Sequence, residues 1–186
     1  INVGNDKAAG IYALNGTSII SNGKLTAGEN SYGYALKSGS GLENNSEITL
    51  KNNSVFVYGD SAGNIKNNAG ITMDGSDITG FYTVNGGNIE NNGIISQTGD
   101  SSIGLYGANG TVSKNEGSIV MGNNGIGIYG VNLITTLAPG FGDQKIEIIN
   151  NKEIKSAGTT GGIGIYADNT TAAVTDSTIQ LGSASD

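Results

Sequence analysis

The sequence predicts an all-β fold, a right-handed parallel β-helix of about seven coils with three short strands in each. Three recurring features lead to this prediction: a tyrosine that returns every 22 to 24 residues along most of the chain, an Asn pair that follows it, and an aliphatic residue four positions past the first member of that pair. A fixed period in the twenties is typical of solenoids. The handedness follows from the general preference of parallel crossovers.

The composition is consistent with this fold and excludes several kinds of chemistry. Thirty-two Gly among 186 residues disfavour long helices, whereas Ile, Val, Thr and Tyr favour strands. The net charge is −7 and no basic cluster occurs, so we expect no nucleic-acid partner. Because the chain has neither Cys nor His, we expect no disulfides, no Cys- or His-based metal site, and no cofactor.

The first segment of each coil carries the tyrosine. The residue before it is usually apolar and the residue after it is small, so period-two alternation predicts that these neighbours point inward and the tyrosine outward. The seven tyrosines of this series are Tyr12, Tyr34, Tyr58, Tyr82, Tyr106, Tyr129 and Tyr166.

The second segment precedes the Asn pair and has an inward aliphatic residue two positions before it. Ser113 interrupts this column in coil five, where the neighbouring Val112 is the alternative inward residue. We expect the pairs at bends, because Asn tolerates the left-handed backbone region and because stacked Asn amides can form a ladder. The pairs are Asn44-Asn45, Asn67-Asn68, Asn91-Asn92 and Asn150-Asn151.

The third segment begins with the aliphatic landmark. The spacing of four residues holds in all seven coils, and most residues two positions further on are apolar or small. The landmarks are Leu25, Ile48, Ile71, Ile95, Ile119, Ile154 and Ile179. Residues 1–186 therefore read as one β-helical segment, and since both ends fit the interior of the repeat, we expect a fragment of a longer solenoid.

An insertion in coil six, residues 134–145, is one candidate binding region. Here the interval from tyrosine to Asn pair is 21 residues, whereas it is nine in most coils. Long excursions from a regular scaffold are often functional, although a tolerated insertion is the alternative. The candidate residues are Thr135, Thr136, Pro139, Phe141, Asp143 and Lys145.

The tyrosine column is the second candidate. Tyr58, Tyr82, Tyr106 and Tyr129 would form an aromatic stripe that could contact sugar rings or a partner protein. A purely structural ladder that stabilises coil stacking is the alternative, and we favour it.

Catalysis and nucleotide binding find little support in the sequence. The closest acidic pairs, Asp74 with Asp77 and Glu43 with Glu47, do not recur in neighbouring coils. Polysaccharide cleavage would need acids that converge on one groove. The glycine pattern at residues 125–130 fits the dinucleotide-binding motif, but it is the repeat itself and recurs at residues 162–167.

The combination of Gly-Ile-Tyr-Ala segments with Asn-Asn-Gly-x-Ile segments resembles the passenger domains of bacterial type V autotransporters, most of all the large fusobacterial outer-membrane adhesins. The resemblance implies display on the surface of a Gram-negative bacterium, anchored in the outer membrane or extracellular, through a C-terminal translocator barrel outside this chain. It also implies a role in virulence, with attachment to proteins or glycans of host cells or other bacteria and no catalysis. A structural stalk and a polysaccharide-active enzyme are the alternatives, and we expect a monomer.

Overall fold

The computed structural model describes residues 1–132, 145–168 and 178–181, which form 21 strands and no helix. The strands belong to three parallel sheets of seven strands each, and each coil of the chain contributes one strand to every sheet. The fold prediction of a parallel β-helix with three strands per coil is confirmed.

Sheets 1, 2 and 3 correspond to the three predicted segments. Sheet 1 consists of β2 (Ala9–Ala13), β5 (Tyr32–Lys37), β8 (Val55–Asp60), β11 (Thr79–Val84), β14 (Ile103–Ala108), β17 (Ile126–Val131) and β20 (Ile163–Asp168). Sheet 2 consists of β3 (Ser18–Ser21), β6 (Gly41–Asn44), β9 (Asn64–Asn67), β12 (Asn88–Asn91), β15 (Val112–Asn115), β18 (Glu147–Asn150) and β21 (Thr178–Leu181). Sheet 3 consists of β1 (Asn2–Val3), β4 (Leu25–Ala27), β7 (Ile48–Leu50), β10 (Ile71–Met73), β13 (Ile95–Gln97), β16 (Ile119–Met121) and β19 (Ile154–Ser156).

The core lies between the three sheets and consists of the predicted inward columns. The landmark residues of sheet 3 stack in register from coil to coil, and Ile71, Ile95 and Ile119 are at most 1% exposed. Ile65 and Ile89 stack in the same way in sheet 2. A buried aliphatic side chain of this size contributes about 2 to 3 kcal/mol, so the stacked coils share a core that one coil alone lacks.

An aromatic cluster, unforeseen in the sequence, fills the core near coils two to four. Tyr34, Phe56 and Phe81 are fully buried, and their rings meet edge to face with centroid distances of 5.6 and 5.3 Å. The prediction that Tyr34 points outward is therefore wrong. Its register partners are Ile11 and Val57, both on the inward column, whereas Ala35 takes the outward position opposite Tyr58.

A hydrogen bond explains why a tyrosine can occupy this inward position. The Tyr34 hydroxyl donates to the Ser21 Oγ over 2.7 Å, so the phenol is satisfied within the core. Ser21 is the register partner of Asn44, and the shorter serine side chain stands where later coils have asparagine. The interval from Ala35 to Asn44 is nine residues, as in the regular coils.

The Asn pairs form the predicted ladder, but their backbone differs from the prediction. The first members end the strands of sheet 2, and those of coils two to four are buried. The left-handed non-glycine residues of the described chain lie instead in the turns on either side of sheet 1. Examples are Asn53 and Asn124 before sheet 1 and Asn85 after it. The amide side chain, and not backbone tolerance, therefore accounts for the pairs.

Two further predictions are wrong. Ser113, at 1% exposed, is the inward residue of coil five and stacks between Ile89 and Ile148, whereas Val112 lies on the outer face. In the last coil, Ile179 pairs with Ile148 in sheet 2 and is not part of segment three. The strand interval between β20 and β21 is consequently longer than in the regular coils.

Candidate functional site

The outer face of sheet 1 carries the predicted tyrosine column. From Tyr58 to Tyr166 each tyrosine is the register partner of the next, through Tyr82, Tyr106 and Tyr129. Successive ring centroids are 5.7, 4.5, 5.1 and 4.7 Å apart, and the interplanar angles are 12°, 1°, 16° and 26°. The five rings form one continuous stack parallel to the axis of the β-helix.

The stack is covered at its first member. Ala35 leaves the outward position of coil two without a ring, and Tyr32 contacts Tyr58 edge to face with a centroid distance of 6.1 Å. Tyr12, two coils before Tyr58, is 57% exposed and has no place in the stack. The run of contacting tyrosine rings thus begins with Tyr32 and continues through the stack.

Stacking decides which parts of the phenols are accessible. The ring faces of Tyr82, Tyr106 and Tyr129 are covered by their neighbours, so ring edges and hydroxyl groups remain for a partner. Burial, with smaller contributions from Tyr82 and Tyr129, raises the pKa of Tyr106 to about 12. Burial also raises the pKa of Tyr58 and Tyr129, so these phenols stay neutral hydrogen-bond donors at physiological pH.

An aliphatic column beside the tyrosines was missed in the sequence. It lies three residues before each tyrosine and is stacked in register. Its members are half-buried, except Ile163, which is 44% exposed. From coil three to coil seven they are Val55, Thr79, Ile103, Ile126 and Ile163. Together with Tyr32 and the tyrosine stack they form an apolar surface, which we call the aromatic face.

A break in strand alternation explains why simple period-two reasoning missed this column. Gly104 and Leu105 are consecutive and both buried, so Ile103 and Tyr106 emerge on the same side although three positions separate them. A Cβ on Gly104 would lie 2.6 Å from the carbonyl oxygen of Gly127, a contact that real side chains do not make. Gly127, in the pattern that resembles a nucleotide motif, has the same repeat position, and a Cβ on it would lie 2.5 Å from the Gly164 carbonyl oxygen. The close approach of neighbouring coils therefore explains this glycine, whereas Phe56 takes the position in coil three.

The other predicted binding region is described only in part. Thr135, Thr136, Pro139, Phe141 and Asp143 lie outside the described residues. Lys145 is half-buried just before β18. In chain order the insertion lies between β17, which carries Tyr129, and β18.

One member of each acidic pair considered for catalysis is engaged in an ion pair between coils. Glu47 accepts from Lys24 over 2.7 Å, and this contact lowers the pKa of Glu47 and raises that of Lys24. Asp74 pairs with Lys51. Among the described residues no group of three or more acidic side chains could hold a metal ion, and none of them forms a helix that could span a membrane.

The chain matches no protein-family model, no curated protein and no solved structure.

Proposed function

We propose that this chain is a passenger segment of a cell-surface adhesin that binds a protein or glycan of host cells or of other bacteria, without catalysis. The observation that carries the proposal is the aromatic face, which runs over six coils and has no charged residue in its two columns. Extended apolar surfaces enriched in tyrosine are typical of binding sites.

The architecture supports this proposal because it presents the face in a rigid form. Every tyrosine of the stack belongs to a strand that is hydrogen-bonded to its neighbours on both sides, apart from the last described one. Rigid aromatic side chains lose little conformational entropy on binding, and their hydroxyls supply directional hydrogen bonds. In the proposal the rod is displayed on the outer surface of a Gram-negative bacterium.

The outward position of the aliphatic column allows a test that spares the core. Ile103→Ser combined with Ile126→Ser removes apolar surface from the middle of the face, and we expect about a tenfold loss of affinity for cells or glycans that the intact chain binds. The measurement is saturation binding of the labelled, purified chain to epithelial cells, to bacterial cells and to a glycan array.

A matched control lies on sheet 3. Thr49→Ala combined with Thr72→Ala changes two stacked outward residues of that sheet and should leave binding unchanged. Equal binding by the isoleucine double variant would exclude the aromatic face as the site. Excision of residues 134–145 then tests the insertion as the alternative location, with reduced binding expected if the ligand contacts it.

A structural stalk is the second candidate, and the ladders favour it. The tyrosine stack and the buried Asn ladder both stabilise contacts from coil to coil, as a spacer requires. A stalk would show no saturable binding to any cell or glycan. Polysaccharide cleavage would instead support the enzyme alternative.

A further inference from the structure

The outer face of sheet 2 differs from the aromatic face, since its central column alternates in charge. Four charged residues of this column are stacked in register between two isoleucines, and Gln180 follows the second isoleucine in the last coil. In chain order its members are Ile20, Glu43, Lys66, Glu90, Lys114 and Ile149. We call this set the charged column.

The charged side chains of this column form ion pairs within one chain but remain partly exposed to solvent. Lys66 lies 3.5 Å from Glu90, and the two side chains remain 46% and 37% exposed. Lys114 pairs with Glu116 over 2.8 Å and is 36% exposed. Ile20 is 66% exposed. The column therefore presents both charges and an apolar end to solvent.

In reverse order, the charged column is complementary in charge to itself. Rotation by 180° about an axis parallel to the strands reverses the rod but keeps each column opposite itself. Glu43 then faces Lys114 of a second copy, Lys66 faces Glu90, and the two isoleucines at the ends face each other. We propose that sheet 2 is a self-association surface on which a second copy of this chain binds in antiparallel orientation.

The flanking columns agree with this arrangement. On one side Asn64 comes opposite Asn88, and on the other side Asn68 comes opposite Asn92. Asn88 donates to Asn64 over 2.9 Å, and both of these amides retain further donor and acceptor capacity. Asn68 and Asn92 each donate both amide hydrogens within the chain, so only their oxygens retain acceptor capacity. Glu116 faces an asparagine, Asn45, so the rotation brings no like charges together.

Other arrangements of two copies place like charges opposite each other. A parallel pair would put every glutamate of the charged column against the same glutamate. An antiparallel pair displaced by one coil would put Glu43 against Glu90, or Lys66 against Lys114. Such contacts are repulsive, so the charges specify both the orientation and the register. An acidic or basic polymer would meet unfavourable charges at every second coil.

The size of the surface predicts a weak association. At about 4.8 Å per coil and 3.3 Å per residue, five coil steps and four residues span about 24 by 13 Å. This area is roughly 300 Å² per copy, well below the roughly 800 Å² of a standard stable interface. We therefore expect association at high protein concentration that salt screens. The proposal departs from the monomer that the sequence alone predicts, and it is independent of ligand binding at the aromatic face.

Charge variants test the attraction. Lys66→Glu combined with Lys114→Glu makes the charged column entirely acidic, and we expect at least a tenfold weaker self-association by sedimentation velocity at low salt. Lys24→Glu combined with Lys51→Glu produces the same change in net charge on the sheet 3 side and should reduce association much less. Thermal unfolding monitored by circular dichroism shows whether each variant is folded.

The orientation can be tested because the chain has no cysteine. One batch carries Asn22→Cys and another Asn151→Cys, two positions that the rotation places opposite each other and that lie five coil steps apart in one chain. A short bis-maleimide links cysteines that come close together. The antiparallel arrangement predicts faster cross-linking between the two batches than within either. Cross-linking mainly within each batch would overturn the orientation. A wild-type chain that stays monomeric at low salt and millimolar concentration, or equal effects of the two charge variants, would overturn the proposal, whether or not the aromatic face binds a ligand.

Discussion

Sheets 1 and 2 are built by the same repeat, yet they present opposite chemistry to solvent. Sheet 1 repeats one residue type, so its tyrosines stack on each other and their ring faces are covered. Sheet 2 alternates Glu and Lys between coils, so each charge has an opposite charge next to it. An outward column of a solenoid can thus stabilise the stack either through identical aromatic residues or through alternating charges. Only the first leaves a long apolar surface.

Inside the solenoid the contrast is reversed, because sheet 2 buries polar groups. Asn44, Asn67, Asn91 and Asn115 are 0% exposed, and each donates one amide hydrogen to the Asn of the next coil and another to a carbonyl oxygen two residues on. The outer members of the pairs form a second ladder that donates in the opposite direction along the chain, as from Asn68 to Asn45. The inner ladder satisfies buried polar groups, whereas the outer ladder is exposed to water.

The largest effect should come from breaking the inner ladder. Asn91→Ala removes the acceptor of one Asn67 amide hydrogen and the donor to both the Asn115 Oδ1 and the Gly93 carbonyl oxygen. We therefore expect the free energy of unfolding to fall by about 3 kcal/mol. Asn92→Ala, on the exposed ladder, should cost only about 0.5 kcal/mol. Urea denaturation of both variants gives the comparison, and similar losses would mean that burial does not distinguish the two ladders.

A smaller effect should come from the stack on sheet 1. Tyr106→Ala removes two ring contacts, with centroid distances of 4.5 and 5.1 Å, and should lower the free energy of unfolding by about 1 to 2 kcal/mol. Tyr106→Phe keeps the ring and should remain within about 0.5 kcal/mol of the wild type. Equal losses in the two variants would show that the hydroxyl group, and not ring stacking, stabilises this face.

The smallest effect concerns the stability of the tyrosine stack of sheet 1 at alkaline pH. Because the pKa of Tyr106 is raised to about 12 in the folded chain, the folded state holds this proton more tightly than the unfolded state does. The resulting stability is fully present below the unfolded pKa of about 10 and is lost as pH rises through about 12. Phenolate absorbance should show a late titration step that Tyr106→Phe removes. An unchanged titration curve in that variant would contradict the assignment.

Much of the fold was predictable because the repeat is strong, and the exceptions have physical causes. The inward aliphatic columns and the tyrosine column follow from alternation and spacing. Tyr34 was predicted to point outward, but Ala35 has the regular nine-residue interval to Asn44 and takes the outward position. The irregular ten-residue interval from Tyr34 to Asn44 was the sequence signal that could have revealed this shift. The aliphatic column of the aromatic face was missed because two consecutive inward residues interrupt alternation in each strand, as Gly104 and Leu105 do.

The period, the three strands per coil and the inward aliphatic residues follow from the amino-acid sequence, because they depend on local spacing and on which side chains avoid water. Which residues become neighbours between coils depends on how the coils pack. Tyr34 donates a hydrogen bond to Ser21, and Phe56 contacts Phe81, across neighbouring coils. The charged column forms only when strands about 23 residues apart in the chain are placed in register. Register is a long-range property that is set by packing and hydrogen bonding of the whole stack, so the chemistry of each outer face emerges only once the coils are stacked.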